Sequence, residues 1–216
     1  MNDDNHKHSA SPKGEVEYSA KDYNDNRFNT SNRMRRLNKV ETCFVSETLK
    51  SVPNEKKLHV DIPCGTGRLS NTLSEFGRRN YLGIDVSEKM LHEARSAHPK
   101  LKYLLGDVLD MPVDDDAANI VLCMRLLHHF DSPEERIKIL RELARVSSKW
   151  VAVSFYRNEC LRNISKRLRG KSVSGCPIAV KTFVAEATEA GLAKRKIVYS
   201  WFAGGAQTMA LLEKIT

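Results

Sequence analysis

Hydrophobic positions keep one rhythm before Pro53 and alternate between two after it. Over residues 31–49, Met34, Leu37, Val40, Phe44, Val45 and Leu49 recur at helical spacing, with Ser31 placed to cap the first turn. Beyond Pro53, short apolar runs of strand length alternate with amphipathic stretches. Residues 58–62, 81–84, 101–105, 118–124 and 150–156 read as strands, and 68–76, 87–97 and 133–146 read as helices between them. That alternation predicts a parallel sheet covered by helices on both faces.

The last third changes character. Residues 157–171 form a basic amphipathic segment with Leu161, Ile164 and Leu168 on one side. A helix over 183–190, closed by Gly191, precedes two strands at 195–202 and 207–213 joined across Gly204-Gly205. A terminal hairpin after a run of strand–helix units narrows the choice of α/β folds.

A chain of 216 residues suits one domain with short appendages. We expect a mobile polar tail over 1–14 and a single domain over 15–216, with a lid and helix at 15–52 and a basic insertion at 157–171. No apolar run reaches the roughly 18 residues of a spanning helix, and the N-terminus lacks the apolar core of a secretory signal. A cytoplasmic location is expected, with peripheral membrane contact through 157–171. Cys43, Cys64, Cys123, Cys160 and Cys176 are too far apart for CxxC chemistry or a zinc knuckle, which fits a reducing compartment, and no metal is expected. Four of the five read as small core side chains.

The net charge of +8 is unevenly distributed. Residues 150–216 hold eleven basic and four acidic side chains and no aspartate, whereas 41–149 are nearly balanced. Arg157, Arg162, Lys166, Arg167, Arg169 and Lys171 oppose a single Glu159. Such a patch suits an anionic partner, or else a solvated helix face.

The segment Val60-Asp61-Ile62-Pro63-Cys64-Gly65-Thr66-Gly67-Arg68-Leu69 is a strand, a glycine loop and a helix start. Glycines at 65 and 67 allow a tight turn and let a ligand lie against the backbone, and a helix N-terminus offers free N–H groups. Asp61, Asp85 and Asp107 stand at the ends of three successive strands, along the edge where open α/β sheets bind ligands.

These features together resemble the class I S-adenosylmethionine-dependent methyltransferases over roughly residues 15–216: the DxxCGTG loop, the acid after the second strand, the Gly-Asp after the third and the terminal hairpin. The resemblance implies a Rossmann-like seven-stranded sheet of order 3-2-1-4-5-7-6, the seventh strand antiparallel, with an N-terminal helical lid. It implies S-adenosylmethionine as cofactor and S-adenosylhomocysteine as product. Asp61, Cys64, Gly65, Thr66 and Gly67 would surround the methionine end, and Asp85 would bind the ribose hydroxyls with Val86 beside the adenine. Asp107 would accept from the adenine amine, Val108 would pack on the ring, and Met124 would offer its carbonyl to the cofactor's amino group. Pro63 departs from the family pattern, which most often has glycine there.

A dinucleotide fingerprint is the rival for the same loop, since Gly65-x-Gly67-x-x-Ser70 is followed by an acid at 85. Asp61 would repel a pyrophosphate, and the chain is short for a second nucleotide half with a substrate domain.

Candidate acceptor residues cluster beyond the fourth strand. Of His128 and His129, adjacent in sequence, at most one can face the site as a general base, and His129 is favoured; a packed or capping histidine is the alternative. Arg125, Tyr156 and Arg157 share that rim by topology. Tyr18, Tyr23 and Arg27, with Phe28, resemble the lid of small-molecule members of the family. The expected acceptor is an O or N atom of a small or lipid-like molecule, with anionic ones suiting the basic stretch. RNA or protein methylation, or cofactor binding without turnover, are the alternatives; RNA is disfavoured by the lack of interleaved aromatics. A monomer or homodimer is expected.

Overall fold

A computed structural model describes residues 32–53, 57–76, 80–171, 175–199 and 206–215. Helix α1 (Asn32–Leu49) precedes β1 (Leu58–Asp61), α2 (Ser70–Phe76), β2 (Tyr81–Asp85), α3 (Glu88–Ala97), β3 (Lys102–Leu105) and β4 (Ala118–Cys123). A 3-10 turn at Leu127–His129 leads to α4 (Pro133–Val146), β5 (Ser147–Tyr156), α5 (Leu161–Leu168), α6 (Val180–Glu189), β6 (Leu192–Tyr199) and β7 (Gln207–Lys214). The seven strands form one sheet of order β3-β2-β1-β4-β5-β7-β6. β1 to β5 run parallel, and β7 is antiparallel to both β5 and β6.

Strand periodicity sorts the core into two layers. Val121 and Cys123 of β4, with Val151, Val153 and Phe155 of β5, face α4 and α6, where they meet Ile139, Leu140, Leu143 and Phe183. Ile120, Leu122, Trp150 and Ala152 face the other way, onto Phe44, Val45 and Leu49 of α1 and Leu73 and Leu91 beyond. Phe155 and Phe183 stack with centroids 4.1 Å apart. Ser87 caps α3 by accepting from Met90 N, and Ser132 caps α4 by accepting from Glu135 N ahead of Pro133 at its first turn. Between α4 and α6, buried Arg136 makes a fork with buried Glu186, its Nε 2.9 Å from Oε2, and its Nη1 donates to the carbonyls of Phe130 and Asp131.

Several boundaries differ from the sequence reading. β5 starts at Ser147, directly after α4, because Ser147 Oγ donates to Trp150 O and accepts from Lys149 N, handling the backbone across a register shift. α6 starts at Val180, whose N–H is taken by Glu159 from 21 residues upstream. β6 starts at Leu192, its polar run Lys194-Arg195-Lys196 reflecting an edge position. Three cysteines are buried rather than four, since Cys43 is exposed and Cys176 half-buried. Ser31 as a cap lies outside the described residues, as do Tyr18, Tyr23, Arg27, Phe28 and the tail. Among the described residues, no helix is long and apolar enough to cross a membrane.

Candidate active site

The carboxyl ends of β1, β2 and β4 open onto a cleft of about 370 Å³. Its floor is the loop after β1, in which Ile62 N and Cys64 N donate to the carbonyls of Leu122 and Ile84, so the turn hangs from both neighbouring strands. Gly65 and Gly67 adopt φ of +56° and +77°, the left-handed region that favours glycine. The turn runs on to residue 69, so α2 begins at Ser70, two residues later than its sequence suggests.

Asp85 closes this loop. Its Oδ2 accepts from Gly65 N at 2.8 Å and its Oδ1 from Ser87 N at 3.0 Å. One carboxylate thus fixes the glycine turn and the approach to α3, and each oxygen keeps a lone pair for a ligand. Burial outweighs these bonds and raises its pKa.

Asp61 lies deeper, fully buried at the end of β1. Tyr81 donates to its Oδ2 at 3.2 Å; Tyr81 OH also lies 2.7 Å from Ser70 Oγ, which accepts from Tyr103 OH at 3.0 Å. Ser70, which stands where a dinucleotide site needs a small residue, is the hub of this chain. Desolvation pushes the Asp61 carboxyl up to about 7, against the opposing pull of the Tyr81 hydrogen bond and Arg68. Burial likewise pushes up the Cys64 thiol, so that it stays protonated.

Glu41 of α1 ties the far wall together. Buried, it accepts from Arg125 Nη1 at 2.7 Å and pairs with Arg68 Nη2 at 2.8 Å, while Arg68 Nη1 donates to Asn38 Oδ1. Arg125 has φ +60°, its N–H donates to Ser154 Oγ at 2.7 Å, and its Nη2 lies 3.4 Å from Tyr156 OH. Two arginines of the cleft wall are therefore oriented by the helix that precedes the sheet.

Of the residues singled out in the sequence, Asp61, Cys64, Gly65, Thr66, Asp85, Val86, Met124, Arg125 and His129 line or floor the cleft. Gly67 supports the turn from behind, where a Cβ would stand 3.0–3.1 Å from His98, Ser70 and Tyr103. His128 points inward, its ring 4.1 Å from those of His129 and Tyr156. Tyr156 reaches the cleft only through Arg125, and the Arg157 guanidinium lies over Tyr199, 4.6 Å from the ring centroid. Asp107 and Val108 are not brought into this cleft. Asp107 Oδ1 is taken up by Leu109 N at 2.9 Å within its own turn, and Val108 packs against the core. Glu41, Ser87, Met90 and Leu126 were not singled out; a buried acid between Val40 and Phe44 on an apolar helix face was the available signal for Glu41.

The residues present fit S-adenosylmethionine. Asp61 Oδ1 is buried with no hydrogen-bond partner, facing the need for a donor such as an ammonium group. A Cβ on Gly65 would meet nothing within 4 Å, so the glycine leaves open space above the backbone. Val86 is 71% exposed in the cleft wall, an apolar surface available to a flat ring.

Residues 60–149 match the family described as "Methyltransferase domain". Among curated proteins, the chain is 28% identical over 138 residues to the mouse tRNA (carboxymethyluridine(34)-5-O)-methyltransferase, covering 60% of this chain and 19% of that protein. It is 24% identical over 135 residues to the ubiquinone biosynthesis O-methyltransferase of Coxiella burnetii, covering 61% and 57% respectively. The match thus spans little more than half of the bacterial relative and a fifth of the mouse one. Among solved structures, magnesium protoporphyrin IX methyltransferase from Synechocystis PCC 6803 with bound S-adenosylhomocysteine superposes with a TM-score of 0.73 at 17% identity, covering 89% of this chain and 97% of that one. Residues 60–149 thus carry the methyltransferase-domain match, and the sheet order is that of the Rossmann-like methyltransferase fold.

Proposed function

We propose that this chain transfers a methyl group from S-adenosylmethionine to an oxygen or nitrogen of a small or lipid-like acceptor. The observation that carries the reading is the joint arrangement of Asp85 on Gly65 N–H, the unpartnered Asp61 oxygen and the open space over Gly65. Asp85 would accept from the ribose hydroxyls, Asp61 and the Met124 carbonyl would hold the amino group, and Val86 would cover the adenine. The cofactor supplies an activated methyl as a sulfonium, so the protein need not create the electrophile. What remains for these residues is positioning and exclusion of water, which together can contribute roughly 7–11 kcal/mol. His129 would take a proton from a hydroxyl or amine acceptor, a role supported by its position in the cleft wall. Arg125, held by Glu41, presents positive charge to an anionic one.

A second reading, methylation of RNA, rests on the similarity to the mouse tRNA methyltransferase. Methyl-labelled S-adenosylmethionine incubated with protein and a lysate from cells lacking it separates the two. Label in the organic or small-molecule fraction is expected. Label in RNA or protein would overturn the acceptor class, and no label in any fraction from a chain that binds the cofactor would overturn turnover itself.

A further inference from the structure

We infer that α5 is a docking helix for an anionic membrane surface. The apolar side of this helix points away from the molecule: Leu161 and Leu168 are each 84% exposed and Ile164 is 44% exposed. Spacings of three and seven residues place the three on one stripe. The side turned to the protein is held instead by buried Cys160, at the helix cap, and by buried Asn163, whose Nδ2 donates to Arg157 O at 3.0 Å. The sequence thus spends its best hydrophobic residues where the fold does not use them, and a stripe of that kind needs a cover.

The surrounding charge identifies the cover. Lys166, Arg167, Arg169 and Lys171 accompany the stripe, and the nearby acid, Glu159, is engaged at the N-terminus of α6. Basic side chains beside exposed leucines match an interfacial helix, whose apolar face enters the acyl boundary while lysine and arginine meet anionic headgroups. Each cation near such a surface strengthens partition about fivefold. Nucleic acid would use the charge and leave the leucines in water, and α5 holds no aromatic side chain for base stacking.

The position adds a consequence. Residues returning from α5 are stitched to the cleft rim, with Cys176 N donating to His128 O, Ile178 N to Tyr156 O and Asn158 N to Ile178 O. The return from α5 therefore meets the segment that leads into the wall containing His129 and Arg125. Docking rests only on α5, whereas delivery of a lipid-borne acceptor to that wall rests on the proposed methyl transfer.

Flotation with vesicles tests docking without any turnover. The full chain is expected to float with vesicles of phosphatidylcholine and phosphatidylglycerol at 100 mM salt, and to float at least tenfold less with phosphatidylcholine alone. Leu161→Glu/Leu168→Glu should lower partition into the anionic vesicles at least tenfold, and Arg169→Glu/Lys171→Glu similarly, while both variants bind S-adenosylhomocysteine as the parent does. No flotation with anionic vesicles overturns the proposal. So does undiminished flotation of the leucine variant, since charge alone would then carry binding. A parent dimer that the leucine variant converts to monomer, or duplex RNA binding that outcompetes the vesicles, overturns it by naming another cover. Loss of S-adenosylhomocysteine binding by the parent would strike the methyltransferase reading and leave the flotation result standing.

Discussion

If Asp61 holds the cofactor's amino group as proposed, its protonation should make cofactor binding pH-dependent. The Asp61 carboxyl is pushed up to about 7, because burial disfavours the charge more than Tyr81 and Arg68 favour it and Asp85 stands near. A carboxylate that is to hold an ammonium group must first lose its proton. With a pKa near 7 the ionised fraction is about one tenth at pH 6 and about nine tenths at pH 8, so affinity should rise about tenfold, or about 1.4 kcal/mol. Calorimetric titration with S-adenosylhomocysteine over this range measures the slope, and buffers of different ionisation enthalpy should reveal proton release on binding at pH 6. The same group sets the sign of stability in the ligand-free protein. A folded pKa raised above the unfolded value contributes stability that is full below about 4 and lost as pH rises through about 7. The Asp61 contribution should thus make ligand-free protein melt higher at pH 5.5 than at pH 8, with Asp61→Asn flattening both trends. A flat affinity between pH 6 and 8, or an Asp61→Asn variant that keeps the rise, would refute the assignment.

Gly65→Ala separates fold from binding: the left-handed φ should cost about 1–2 kcal/mol, seen as a modest drop in melting temperature, whereas the methyl projecting into open space should weaken S-adenosylhomocysteine more than tenfold. Arg136→Ala should lower unfolding free energy by about 3–5 kcal/mol in urea melts, because it strands the buried Glu186; a change under 1 kcal/mol would mean the fork is solvated. Glu41→Gln should release α1 from Arg68 and Arg125, so limited proteolysis should cut within 32–53 sooner than in the parent protein, and unchanged protection would contradict the clamp.

The sheet was legible because its strands are buried on both sides or alternate cleanly, as Ile120 to Cys123 do, and because Gly65, Gly67 and the acid at 85 mark one strand edge. The boundaries that moved depend on side-chain hydrogen bonds to backbone. Ser147 acts three residues on through a side-chain hydrogen bond that hydrophobic patterning does not register, and Glu159 acts on backbone twenty-one residues away, which no local window contains. Glu41 was hidden by the same cause: its meaning lies in Arg68 and Arg125, 27 and 84 residues away, and only folding brings them together. Asp107 and Asp85 read alike in the sequence and both accept from the backbone N–H two residues on, and only the fold shows that Asp85 lines the cleft. The stripe of Leu161, Ile164 and Leu168 was visible as a pattern, but whether it faced the core or solvent required the position of Asn163.

The cleft beneath Asp85 is the proposed S-adenosylmethionine site. Calorimetric titration of the parent and of Asp85→Ala with S-adenosylhomocysteine tests it most directly, with thermal melts confirming that both are folded. Two charge-assisted hydrogen bonds at about 1.5 kcal/mol each should make the variant at least about 100-fold weaker. Saturable binding by the parent that Asp85→Ala abolishes or weakens to this degree is the predicted result; equal affinity in both, or no binding by the folded parent, would contradict the account.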